Sequence, residues 1–210
     1  MVKKAEISGH VLDAALKLAA ERGWRRLRLA DIAVAAGLPL ATVAETFGSK
    51  AEIQSAFSRR IDLAVLQGSD LADLDQPVRD RLFDVIMRRL DALKPHRAAL
   101  GAIAHDTARD PVAGACAGAV LVRSMAAMLE AAGVSASGLG GLIRAEGLAA
   151  IYLQVLRVWV GDESEDLSKT MAALDRRLDR ADWIMARQCG VSRRRPAAPA
   201  AAAAATGEAQ

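Results

Sequence analysis

The side chains of this sequence that could ligate a metal or attack a substrate are scattered. His10, His96 and His105 stand far apart, and Cys116 and Cys189 lack CxxC spacing, so neither a zinc site nor a disulfide framework is indicated. No HExxH, GxSxG or phosphate-binding glycine loop occurs. His105 and Asp106 lie near Cys116 in the chain and suggest a base beside a nucleophile, but a histidine near a helix end is more often a satisfied surface group. The acidic run DESED at 162–166 is expected at a helix N-terminus, held by its dipole, with Asp162 and Glu165 as a capping box. No catalytic residue, cofactor or metal is assigned, and a binding protein is expected rather than an enzyme.

The residues suited to meeting phosphate are different. Arg25, Arg26 and Arg28 cluster in GWRRLR, and Lys50 follows a second glycine. A net charge of +3 and a pI near 9.1 permit a nucleic-acid partner without demanding one.

These residues sit between helical patterns. Hydrophobic content of 52% with only 3% aromatic favours helices packed by aliphatic side chains, so an all-α fold is expected. Val11, Leu12, Ala15, Leu16 and Ala19 recur at helical spacing after Ser8, a candidate N-cap, and Gly23 ends the run. Leu29, Ile32, Ala33 and Ala36 mark a second short helix before Gly37. Pro39 to Phe47 marks a third with Val43 and Phe47 inward, and Ser49 caps a fourth through Ile53, Phe57 and Ile61. The Asp-rich segment ending at Pro77 reads as a connector. Behind it, helices are expected over Val78 to Leu93, Pro95 to Thr107, Val112 to Ala132, Leu139 to Val160 and Ser164 to Ala186. The division is thus 1–70, 71–187 and an Ala/Pro tail at 188–210 with no amphipathic period, expected to be disordered. Arg193, Arg194 and Arg195 in that tail are more simply solvated than bound to phosphate.

Gly23 with an aromatic, then ADIA, AAGL, Thr42 three residues into LATVAETF, and SK before the next helix resemble the TetR family over residues 8 to about 66. The resemblance implies a helix-turn-helix head in which Leu29 to Ala36 positions and Pro39 to Thr46 recognises DNA. It implies DNA contacts from Pro39, Leu40, Ala41, Thr42, Glu45 and Thr46, with Thr42 nearest the groove, and phosphate contacts from Lys50, Arg25, Arg26 and Arg28. The usual basic and aromatic readers are replaced here by Leu40, Ala41, Val43 and Ala44.

In the rear part, WVGDESEDLS and ALDRRLD resemble the lipid-binding coenzyme Q biosynthesis accessory family, itself of TetR fold, over roughly Arg79 to Met185. That implies an apolar cavity for an isoprenoid or lipid tail. Candidate lining residues are Met87, Leu90, Ile103, Val120, Met125, Met128, Ile151 and Leu156, against the simpler reading of an ordinary core. Leu148, Tyr152, Val155 and Trp159, with Leu167, Met171, Leu174 and Leu178, repeat at spacings of four and three. They suggest a four-helix homodimer interface, or packing within one chain. Charges such as Arg123, Arg144, Glu146 and Arg157 interrupt the apolar stretches and argue against membrane insertion.

The expectation is a cytoplasmic, homodimeric TetR-type DNA-binding regulator, a repressor responsive to a small apolar ligand. The alternative is a lipid- or isoprenoid-binding accessory protein of ubiquinone biosynthesis with a relic helix-turn-helix.

Overall fold

A computed structural model describes residues 4–68 and 75–188, with side chains described except for Lys4 and 182–188. The central part of the expected connector and the tail from 189 lie outside the described residues. The elements are α1 (Lys4–Arg22), α2 (Leu29–Ala36), α3 (Leu40–Thr46), α4 (Lys50–Gln67), α5 (Val78–Leu93), α6 (Arg97–Thr107), α7 (Pro111–Ala131), α8 (Gly138–Val160) and α9 (Ser168–Gln188). One 3-10 turn, Lys94–His96, joins α5 to α6. No strand occurs among the described residues, as the aliphatic composition implies.

Most helix boundaries follow from local chemistry. Gly23 and Gly37 have φ of 79° and 66°, left-handed values that stop α1 and α2 without a Cβ clash. Ser49 caps α4, its hydroxyl accepting from the Glu52 amide at 3.2 Å. Asp110 caps α7 by accepting from the amides of Val112 and Ala113. Ser8, expected as a cap, instead lies inside α1, which starts at least four residues earlier.

The last helix also departs from expectation. It begins at Ser168 rather than Ser164, because the Asp162 carboxylate reaches across the turn and accepts from the Thr170 amide at 2.9 Å and hydroxyl at 2.7 Å. The Ser164 amide and hydroxyl donate to its other oxygen. A carboxylate does hold this helix N-terminus, but from outside it, and Glu165 takes no part in a capping box. Leu167, just before the helix, is buried with φ of 55°, a costly value for leucine.

Four donors hold the Asp162 carboxyl far below the ordinary carboxylate range. A carboxyl depressed in the folded state contributes its full stabilisation above the unfolded value, about 4, and loses it as pH falls toward the folded value. Asp162→Asn should therefore melt well below the wild type at pH 7, with the gap closing as thermal scans move below about pH 4. A gap independent of pH would contradict this role.

The core is continuous from α1 through α8 and α9. In the front, α1 packs on α2 and α4, burying Val11, Ala15, Ile32, Val43 and Ile53. In the rear, α4 packs on α7, α7 on α8, and α8 on α9, around Ile86, Leu90, Met125, Met128, Val155 and Trp159. Helix α6 returns to lie on α1, so the rear part touches the head directly.

One close approach fixes the start of α8. A Cβ on Gly141 would fall 2.0 Å from the Ala136 carbonyl carbon. Glycine-to-alanine in a helix ordinarily stabilises by roughly 0.5–1 kcal/mol, as is expected for exposed Gly147, where no atom lies within 4 Å. Gly141→Ala should do the opposite and lower the denaturation midpoint, since only backbone movement relieves the clash. A midpoint raised equally in both variants would show that the loop yields freely.

Candidate nucleic-acid interface and ligand core

The axes of α2 and α3 turn through 111° at Gly37, Leu38 and Pro39, within the range of helix-turn-helix units. The turn is closed from within. Gly37 and Leu38 donate to the carbonyls of Val34 and Ala33, a Schellman closure that the left-handed glycine makes possible. Val43 and Phe47 bury one face of α3 against this unit. That leaves Leu40, Ala41, Ala44 and Glu45 exposed, with Thr42 and Thr46 half-buried and Pro39 exposed ahead of them. The Thr46 hydroxyl donates to the Thr42 carbonyl at 2.9 Å, so it is occupied within the helix. The presented face is therefore apolar with one acid.

The cations divide into two sets. Arg25 and Arg26 are exposed, and no side-chain partner of either is found among the described residues. Arg28 is exposed too, but its guanidinium pairs with Asp31 at 3.1 Å, and Asp31 accepts from the Arg28 amide, which caps α2. The Lys50 ammonium turns back toward the loop, donating to the carbonyls of Trp24 at 2.9 Å and Arg25 at 3.3 Å, and sits 5.4 Å from the Trp24 ring centroid. Burial pushes its pKa down. The expected direct phosphate contact by Lys50 is not its resting arrangement. Its ammonium instead clasps the turn that displays Arg25 and Arg26.

A second partner of that turn comes from far along the chain. The Asp106 carboxylate on α6 accepts from the Arg25 amide at 2.8 Å, and this bond holds its pKa below the ordinary range. His105 is 3.5 Å from Asp106 and exposed, as is Cys116, so the pair's carboxylate is engaged in joining α6 to the head rather than orienting a base.

In the rear part, the expected pocket residues enter the core to different depths. Leu90, Met125 and Met128 are fully buried; Met87, Ile103, Ile151 and Leu156 are half-buried against the core, and Val120 is half-buried without joining it. The expected dimer stripe requires correction. Leu148, Tyr152, Val155 and Trp159 are all buried within the chain, as are Leu167, Leu174 and Leu178, and Met171 is half-buried. They join α8 to α9 and to the residue just before it within the chain. The exposed apolar residues of α8 are a different set, Leu139, Leu142, Ile143, Leu153 and Val160. A helix apolar on most of its circumference carries more than one stripe, and periodicity does not say which belongs to its own core. By length and composition alone, α7 and α8 could each cross a membrane, which the interrupting charges had argued against.

A buried polar group lies among these helices. Arg89 of α5 is 4% exposed and donates to Asp62 of α4, which also accepts from Ser124 of α7 at 2.6 Å. Arg89 reaches Ser58 at 3.4 Å and lies 5.5 Å from the Tyr152 ring centroid. The signal was present in sequence, because Arg89 falls on the stripe Val85, Ile86, Leu90 and Leu93, where a charge is out of place.

Residues 11–57 match the model of the TetR family of bacterial regulatory proteins, and residues 120–184 match the COQ9 model. No curated protein matches the chain. Among solved structures, a TetR transcriptional regulator from Nitrosomonas europaea is similar at a TM-score of 0.68 and 27% identity, covering 85% of this chain and 99% of its own. A TetR regulator from Rhodococcus sp. RHA1 is similar at 0.60 and 22%, covering 84% and 96%. Thermus thermophilus FadR, a TetR-family repressor in complex with lauroyl-CoA, is similar at 0.51 and 16%, covering 91% and 98%. Fold and head define a helix-turn-helix protein. Its front carries a TetR-type DNA-binding domain, its rear half matches the COQ9 domain, and the whole chain shares the fold of TetR transcriptional regulators.

Proposed function

We propose that the protein is a homodimeric repressor that binds operator DNA through α3 and the 23–28 turn, and releases it on binding an apolar ligand in the rear part. The 111° unit, preceded by a turn on which Arg25 and Arg26 have no side-chain partner among the described residues, supports this reading most directly. Dimerisation would use the exposed face of α8, since an apolar face of this kind is covered in most stable assemblies. The similar Thermus protein, bound to lauroyl-CoA, is consistent with a ligand bearing a long apolar chain. Retardation of the protein's own upstream DNA at low salt, lost in the presence of extracted ligand, is the expected result. No retardation under any condition would end the reading.

A second reading is favoured by one observation, the COQ9 match combined with the neutral-to-acidic face of α3. On that reading the protein is a lipid- or isoprenoid-binding accessory protein and its head is a relic. Mass spectrometry of molecules extracted from the purified protein separates the two when paired with the gel-shift result: bound isoprenoid with no DNA retardation selects the second.

A further inference from the structure

Arg89 offers a donor that the fold does not use. One terminal nitrogen is engaged by Asp62 and the other reaches Ser58, but Nε is buried without an acceptor. A buried donor left unpaired is costly, because it has lost its water without gaining a partner. An acceptor brought in by a ligand would recover that energy.

The chemistry of the acceptor follows from the charges around it. Asp62 already balances the guanidinium, and Ser124 donates to the same carboxylate oxygen. A second carboxylate here would place two anions against one cation in a poorly solvated interior, which is unfavourable. A neutral acceptor needs no counterion. The Tyr152 ring lies beside the guanidinium, and the core that holds the group is aliphatic and sulfur-bearing: Leu90, Met125 and Met128 are fully buried in it, and unbranched methionines repack readily around flexible chains.

The geometry points to Arg89 as the head-group anchor for an apolar ligand carrying a neutral carbonyl oxygen, with Nε donating to that oxygen while the Asp62 pair stays intact. This rests on the rear part's being the ligand domain of the proposed regulator.

The test is a calorimetric titration of the full chain, without DNA, with methyl heptyl ketone, its isostere with a methylene group in place of the oxygen, and octanoate. The ketone should bind at least about tenfold more tightly than the isostere, as one hydrogen bond to a charged donor implies, and more tightly than octanoate. Arg89→Lys keeps a cation opposite Asp62 but has no Nε, and should abolish the preference. The triple variant Arg89→Met, Asp62→Leu, Ser124→Ala should do the same in an apolar core. Equal binding of ketone and isostere, tighter binding of octanoate, no binding of any probe, or a preference that survives in either variant would overturn the assignment. Failure here leaves the gel-shift result standing, and failure of the gel shift leaves the ketone preference standing.

Discussion

Arg89→Ala should lower the free energy of unfolding by about 3–5 kcal/mol, because it leaves the Asp62 carboxylate buried without its cation. The effect is mainly a penalty on the survivor rather than the value of the pair. Replacing the whole group with apolar residues of similar volume, in the triple variant above, should therefore return stability to near the wild type or above it. Urea denaturation at constant m-value is the measurement. A single variant that loses less than about 1 kcal/mol would show that water reaches Asp62 and that the group is not buried in solution. If the triple variant is as unstable as the single one, the polar group itself specifies the packing of α4, α5 and α7.

A charged group in the core of an otherwise aliphatic protein calls for a reason other than stability. A buried pair that an apolar replacement would match is weak evidence for stability. Its position, joining α4 to the three rear helices α5, α7 and α8, fits a role in binding or switching better than one in holding the fold.

The head was legible from sequence because its determinants are local. Gly23 and Gly37 stop helices by their own conformational freedom, and Ser49 caps α4 within three residues, so order and spacing sufficed. Helices α5 and α6 likewise fell close to their hydrophobic periods. What was misplaced depends on partners distant in the chain. The α8 and α9 stripes were correctly seen as apolar seams, but whether a seam meets its own chain or another is decided by the third dimension. Asp162 was expected to act on Glu165 and acts on Thr170 instead, across a turn whose shape the sequence does not state. Lys50 was expected to face phosphate, yet its nearest acceptors are carbonyls of residues 24 and 25, brought close only when α4 docks beside that loop.

That last difference changes the expected behaviour on DNA. Among the described residues, Arg25 and Arg26 leave the turn without a side-chain partner, whereas Arg28 is tied to Asp31 and Lys50 to the loop carbonyls. The Arg25→Ala, Arg26→Ala variant should therefore lose most of the electrostatic affinity. If each arginine meets one phosphate in both heads of a dimer, four contacts disappear and the log-log salt slope falls in magnitude by about 3.6, at about 0.9 per phosphate. Over the rise from about 50 to about 200 mM salt, wild-type affinity should then drop about 150-fold more than the variant's. Arg28→Ala and Lys50→Met should change the slope far less, Lys50→Met acting mainly by loosening the turn and lowering thermal stability. Thr42→Ala should alter discrimination between sites with the slope unchanged, because a contact to a base edge releases no counterion. Fluorescence anisotropy on the upstream fragment at several salt concentrations reads all four variants. Equal slopes for the wild type and the double arginine variant would mean that this turn does not lie on the phosphate backbone, and the head would then have to meet DNA by another face.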